Sequence, residues 1–472
     1  MDLLTSIQID GGITENGMTT NLSSLDRCVD LFFKIGASRK RSSEEVFADF
    51  SLAWAEDPLK ALKILFWARD IRGGAGERKI FRDILSKLAT RHGEVLEKNL
   101  HLVPHFGRWD DLLCFEGTEL WPKVCQMIGH ALSQGDGLCA KWMPRGGREA
   151  RVLRVALGIS PKQWRKTLVR LTQVVETSMC DRRWTEIDYS KVPSLASARY
   201  SKAFAKHDPV GYQSWREDLK SGESKVNASA VYPYDIIKTL KNRGDIQVAE
   251  QMWEALPDFM NGYTSRILPL VDTSGSMSSP VSPNSSTSCL DVALSLGIYI
   301  SQRNTGPFKD AFITFSTEPT LQILRGSLWD RYTQLKKAKW SMSTNLEAAL
   351  GLILDSANRH QISQDEMPEI LLILSDMEFD EATGRYTNQN PSAFSMIQEQ
   401  YLKAGYKMPQ IVFWNLQSRR DNVPVRAHQT GAALISGFSP SIMKSLLGGE
   451  EFTPVTIMNR TIDSERYSLV TV

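Results

Sequence analysis

The sequence predicts a two-part chain. An α-helical first half, read as a HEAT-like helix-pair repeat or an irregular bundle, is followed by a doubly wound α/β domain. Three observations carry that reading. Up to Leu256 the apolar residues recur at spacings of three and four, with few strand-like runs. From Tyr263 onward, short apolar runs alternate with amphipathic segments. A length of 472 residues suits about two to four domains rather than one core. The boundary falls at Asn261-Gly262, giving an irregular N-terminus over 1–22, a helical domain over 23–261 and an α/β domain over 262–472.

In order along the chain, the opening residues are polar and Gly-rich and show no period. In DPLKALKILFWARDIRG, Leu59, Leu62, Leu65, Phe66 and Ile71 fall near one face. Asp57 caps that helix ahead of Pro58, and Gly73-Gly74 stops it. ERKIFRDILSKLATRHG repeats the arrangement, with Ile80, Phe81, Ile84 and Leu88 inward and Gly93 at its end. SPKQWRKTLVRLTQVVETSM is a third amphipathic helix, capped by Ser160 with Pro161 at its first position. No exact repeat period emerges. In the second half, strands are predicted over 266–272, 310–316, 369–376, 410–416 and 431–437. Helices are predicted over 290–303, 345–358 and 393–405, and again from Ser439. Such alternation gives a mostly parallel sheet with helices on both faces.

Composition excludes several classes. A net charge of +2 gives no strong whole-molecule field. The charge is regional, however: residues 141–206 hold 15 basic against 5 acidic side chains. Six cysteines, none in a CxxC pair, fit a reducing compartment. The opening MDLLTSIQIDGG has no basic start, apolar run or cleavage pattern, and no stretch approaches a membrane span. The expectation is a cytoplasmic monomer without a membrane segment.

Chemistry concentrates where three predicted strands or helices meet polar loops. Asp272-Thr273-Ser274-Gly275-Ser276 follows the first strand, Thr344 precedes a helix, and Asp376 ends the strand EILLILSD. Open α/β sheets bind ligands at the carboxyl ends of their strands. Two carboxylates and three hydroxyls are all oxygen donors, the set that Mg²⁺ or Mn²⁺ prefers. A strand-end turn in which Asp and Ser cap helices is the bland alternative. A phosphatase of the Asp-x-Asp type is disfavoured, because position 274 is Ser and supplies no second carboxylate. The Ser/Pro run over 278–288 stands beside the site as a candidate lid or obstruction.

The helical half offers other candidates. LFWARDIRGGAGERKIFRDIL is not a phosphate loop, since Gly76 is followed by Glu77-Arg78-Lys79. Its cations Arg69, Arg72, Arg78, Lys79 and Arg82 can hold phosphates, or pair with Asp70, Glu77 and Asp83 on a solvated helix face. Around Trp109, Trp142 and Trp184, Arg and Lys interleave with aromatics, a combination that holds single-stranded RNA. Each Trp is alternatively a packing anchor, and Arg108 with Asp111 a structural ion pair. The candidate RNA contacts are Lys141, Arg145, Arg148, Arg151, Arg154, Arg182, Arg183, Lys191 and Arg199. The seven histidines form no convincing metal pair, and GxSxG, HExxH and CxxC are absent, so turnover is not expected.

The trio Asp272-x-Ser274-x-Ser276, Thr344 and Asp376 resembles the metal-ion-dependent adhesion site of von Willebrand factor A domains. That resemblance implies direct metal contact by the two Ser and the Thr. The carboxylates often act through water, and an open position takes a partner's acidic group. The segments RDIRGGAGER, FGRWDDLL, KWMPR, EIDYSKVPS and ISGFSP are similar to an uncharacterised family joining a helical-repeat half to a von Willebrand A half. In architecture that family resembles the TROVE-domain, Ro-type ribonucleoproteins. The resemblance implies a helical ring closed by the A domain, with single-stranded RNA ends or small structured RNAs as ligands. It transfers no RNA-contact residue by position. The functional expectation is therefore a non-catalytic, Ro-like RNA-binding protein, in RNA quality control or a ribonucleoprotein. A metal-dependent protein-interaction scaffold is the alternative.

Overall fold

The first described residues pair as an antiparallel hairpin, β1 (Gly11–Ile13) with β2 (Thr19–Asn21), where the sequence predicts irregular chain. The remaining strands form one sheet: β3 (Ile267–Asp272), β4 (Ala311–Phe315), β5 (Thr320–Ile323), β6 (Ile370–Ser375), β7 (Gln410–Asn415) and β8 (Ala432–Ser436). The computed structural model describes residues 11–172, 174–224, 226, 228, 231–242, 245–283, 285–315, 318–337, 344–387, 390–448 and 451–472.

The strand order is β5-β4-β3-β6-β7-β8, parallel throughout except for the antiparallel edge strand β5. The chain fills one side of β3 first and then crosses to β6 on its other side. The switch point therefore lies between β3 and β6, where such sheets open a crevice. Strands β3, β6 and β8 are buried at every position, as expected for a sheet covered on both faces. The helices Cys289–Arg303, Leu346–Arg359 and Ala393–Ala404 lie close to their predicted positions. Three elements escaped prediction: β5, and the helices Leu328–Lys337 and Pro454–Ile462. The last predicted helix is short, a 3₁₀ turn over Pro440–Ile442 running into Met443–Leu446.

The N-terminal half is helical-repeat-like. Helices adjacent in sequence pack together, as in Ser43–Glu56 with Pro58–Arg69, Ser194–His207 with Pro209–Ser221, and Pro233–Lys241 with Ile246–Glu254. Predicted caps are present: Asp57 accepts from the Lys60 N–H at 2.9 Å, and Ser160 forms a capping box with Gln163. Pro58–Arg69 ends at Asp70, three residues before the predicted Gly73 stop. Over residues 61–69 only Lys63 is not buried. A helix apolar all round belongs inside a core, and this one does.

Both ends of the helical run meet the α/β half. The helix Arg27–Ile35 packs on β8, where the Ser436 hydroxyl donates to the Phe32 carbonyl at 2.7 Å. Helices Pro233–Lys241 and Ile246–Glu254 pack on Cys289–Arg303 and Leu328–Lys337. Asp70, fully buried, accepts from Tyr467 at 3.0 Å and from Arg466 at 2.7 Å. No helix among the described residues is long and apolar enough to cross a membrane.

Candidate functional site

The switch point fixes the first carboxylates. Asp272 closes β3, and Asp376 directly follows the neighbouring strand β6. Asp272 is tied at both oxygens. Its Oδ1 accepts the Ser274 N–H at 2.9 Å, and its Oδ2 accepts the Ser375 hydroxyl at 2.6 Å. Asp376 is different: neither buried oxygen makes a well-formed hydrogen bond, although the Ser276 hydroxyl and the Glu378 N–H lie close to it. The cation facing Asp376 among the described residues is Arg419, whose Nη2 lies 3.4 Å from Oδ2. Burial, then the nearby Asp376 carboxylate, pushes the Asp272 carboxyl up to about 7. Burial also raises Asp376, against the opposing pull of Arg419.

The hydroxyls follow from local geometry. Ser274 leads into a 3₁₀ turn over Gly275–Ser278, which sets its Oγ 2.9 Å from the Ser276 Oγ. Thr344, 1% exposed, sits one residue before Asn345, which caps the helix Leu346–Arg359 by accepting from the Ala348 N–H. Ser274, Ser276 and the two carboxylates thus gather at the ends of β3 and β6. Thr344 reaches the same edge of the sheet through Asn16, whose Nδ2 is 3.5 Å from the Thr344 Oγ1 and 2.6 Å from the Glu378 carbonyl. Residues 340–343 of the loop before Thr344, and Asn284 of the 278–288 run, lie outside the described residues.

Two contributors were not foreseen. The hairpin turn between β1 and β2 lies over the site: the Glu15 N–H donates to the Glu378 Oε2 at 2.6 Å, and the Thr14 hydroxyl to the Phe379 carbonyl at 2.7 Å. Arg419, after β7, donates to the Ser276 carbonyl at 3.0 Å and lies 3.5 Å from the Glu15 carboxylate. The Ser/Pro run folds on itself, with the Val281 N–H donating to the Thr287 carbonyl at 2.9 Å. Its Ser279 meets Arg419 at 3.4 Å, so the run borders the site beside the hairpin and Arg419. An Asn-Gly pair at Asn16-Gly17 was the available hairpin signal. Nothing local marks Arg419 or Ser375.

One group of three potential metal donors exists among the described residues at Asp26, Cys28 and Glu56. Its members have other work. Asp26 caps the helix Arg27–Ile35, Glu56 accepts from the Arg27 N–H, and burial with Asp26 and Glu56 nearby holds the Cys28 thiol up at about 12.

The basic segment is largely exposed. Arg145, Arg148, Arg151, Arg182, Arg183, Lys191 and Arg199 are exposed, while Lys141 and Arg154 are half-buried. Of the 15 cations in 141–206, ion pairs among the described residues engage Arg148 with Glu116, Arg183 with Asp181 and Glu186, and Lys191 with Asp188. Of the rest, Arg154 donates to the Ile159 carbonyl at 3.4 Å, Lys141 lies over the Trp142 ring, and the others are exposed without an ion-pair partner among the described residues. The Trp residues serve as packing: Trp184 stacks on His207 at 4.4 Å, and Trp142 carries the Arg108 guanidinium at 4.1 Å. The expected Arg108–Asp111 ion pair is absent. Asp111, fully buried, is held by the guanidinium groups of Arg69 at 2.7 Å and Arg82 at 2.6 Å, from two other helices, while Arg108 reaches it only through its backbone N–H at 2.9 Å. The Arg-rich stretch 65–85 is thus mostly paired with partners elsewhere in the fold: Glu77 with Arg39, Asp70 with Arg466, and Arg78 with Asp110.

Comparison with known proteins places both halves. Residues 266–467 match a domain of unknown function (DUF7788). The chain is also similar to the uncharacterized protein L728 of Acanthamoeba polyphaga mimivirus, 28% identical over 95% of this chain and 87% of that protein. Residues 14–115 and 122–262 match the domain of unknown function DUF2828, and the chain belongs to that family.

Proposed function

We propose that this is a non-catalytic RNA-binding protein, Ro-like in architecture, whose C-terminal half is a von Willebrand A-type domain holding Mg²⁺ or Mn²⁺. The observation that carries the RNA reading is the segment 141–206, where all but three of 15 cations lack an ion-pair partner among the described residues. Unpaired cations on neighbouring helices favour a polyanion, because each phosphate neutralised releases counterions. The exposed arms of Arg145, Arg151 and Arg199 supply those contacts, with single-stranded ends or small structured RNA as ligand. The test is fluorescence anisotropy with single-stranded RNA across a salt series. Affinity is expected to fall steeply with salt, and neutralising Arg145, Arg148, Arg151 and Arg154 together to weaken it and flatten the slope. Unchanged binding by a folded variant overturns the footprint.

The metal reading draws support from Asp376, a buried carboxylate with no well-formed hydrogen bond at either oxygen and a second carboxylate, Asp272, beside it. A group so placed is costly unless a cation neutralises it. Ser274, Ser276 and Thr344 would hold the ion, with Asp272 and Asp376 balancing its charge. A bound divalent ion supplies a Lewis-acidic position for an acidic group. That favours the second reading, capture of a partner carboxylate, in which the metal site is the contact. Calorimetric titration with Mg²⁺ tests it: binding lost in Asp272→Ala and Thr344→Ala supports the site, and binding retained by both removes it.

A further inference from the structure

A cleft of about 340 Å³ opens on the seam between the two halves of the chain. Its walls carry three cations, Arg72 from the helical half with Lys444 and Arg466 from the α/β half, several hydroxyls including Ser441 and Ser445, and no carboxylate. It lies apart from the switch-point carboxylates and from segment 141–206, and it belongs to neither reading above.

The cations there differ from the paired ones around them. Of the Arg-rich stretch 65–85, Arg69, Arg78 and Arg82 are committed to Asp110 and Asp111, while exposed Arg72 has no ion-pair partner among the described residues. Lys444 has none either; its Nζ rests 5.3 Å from the centre of the Phe259 ring. Arg466 is fixed in place. Its Nε and Nη2 grip buried Asp70, with Nη2 at 2.7 Å from Oδ1, leaving Nη1 without a hydrogen bond among the described residues. Asp70 also accepts the Arg72 backbone N–H at 3.0 Å, so one buried carboxylate orients the Arg466 guanidinium and anchors the backbone that carries Arg72. Gly73 completes the arrangement. A Cβ there would lie 3.0 Å from Arg466 Cδ and Nε and from Asp70 Oδ2, so a side chain would make that pair shift by a few tenths of an ångström.

We propose that this cleft binds the phosphate of a small phosphomonoester. Such a phosphate carries close to two negative charges at neutral pH and several strong acceptors. Arginines held in a fixed orientation match it better than mobile lysines do. The charge count agrees: Asp70 consumes Arg466, and Arg72 with Lys444 leave two positive charges for the ligand. The cleft is larger than the phosphate alone requires, and the Phe259 ring offers an apolar wall beside it. Because Arg72 and Lys444 come from opposite halves, the bound phosphate ties the seam together.

The test uses the full chain at low ionic strength, with calorimetric titration and thermal unfolding. The probes are inorganic phosphate and a nucleoside 5′-monophosphate, with chloride at matched ionic strength as control. Both phosphates are expected to raise Tm beyond chloride, since a ligand bound to the folded state stabilises it. Tighter binding of the monophosphate assigns the site to an organic ester, and equal binding assigns it to free phosphate. Arg72→Ala with Lys444→Ala removes two exposed side chains, so the ligand-free Tm is expected to hold while affinity drops at least about tenfold. Arg145→Ala with Arg151→Ala is expected to keep the response, which separates this cleft from the RNA surface. No shift beyond chloride, or a response unchanged in Arg72→Ala/Lys444→Ala, overturns the proposal.

Discussion

Asp376 and Asp111 are both buried carboxylates, and their surroundings give them opposite consequences. Asp376 makes no well-formed hydrogen bond and lies beside a second carboxyl, Asp272, which is raised to about 7. Replacing it with Asn removes that repulsion, so metal-free Asp376→Asn is expected to match or exceed the parent's stability, by about 1 kcal/mol. The same variant is expected to lose its thermal response to Mg²⁺; a retained response counts against the ion. Asp111 holds Arg69, which is 1% exposed. Asp111→Ala strands that guanidinium, and chemical denaturation is expected to show a loss of about 3–5 kcal/mol. Sequence reading found Asp272, Ser274 and Ser276 because a strand-end turn writes them consecutively. Asp111 it paired with Arg108, the nearest cation along the chain. The true partners stand 29 and 42 residues away, a spacing that only packing sets.

At the scale of elements, periodicity served long segments and failed short ones. The five long strands of the sheet were legible as apolar runs. The edge strand β5 was not: its Leu321 and Ile323 are both exposed at 52%, so no buried stripe marks it. The β1–β2 hairpin was lost for the same reason, three residues per strand. Its docking rests on Thr14, whose buried hydroxyl donates to the Phe379 carbonyl and accepts from the Met18 N–H at 2.9 Å. Thr14→Val leaves both groups short of a partner, a local loss of about 1–3 kcal/mol. Hydrogen exchange at Met18 is expected to accelerate in that variant, and Mg²⁺ to enter faster by stopped-flow. Unchanged entry shows that the turn does not gate the site.

For the whole molecule, the sequence reading placed a boundary at Asn261-Gly262, and composition changes there. Side-chain packing crosses that boundary freely. The helix Arg27–Ile35 covers β8, and the Asn99 amide donates to the Thr471 carbonyl at 2.6 Å. Residues 262–472 made alone are therefore expected to expose the buried face of β8 and to bind a hydrophobic dye, with a lower unfolding midpoint than the full chain. A periodicity scan sees each segment against water and cannot register which distant surface covers it.

The contact between Phe32 and Ser436 spans 404 positions of sequence. A ribosome working at about 5–20 residues per second needs roughly 20–80 s to deliver β8 after the helix that covers it. Throughout that interval the face of this helix that covers β8 has nothing to close on, while its other side packs on Ser43–Glu56 and Pro58–Arg69, with the Phe32 and Trp67 ring centroids 4.5 Å apart. The nascent chain is thus expected to keep that apolar face exposed until β8 arrives. Slow codons late in the message would lengthen its exposure, whereas refolding of the finished chain meets no such delay.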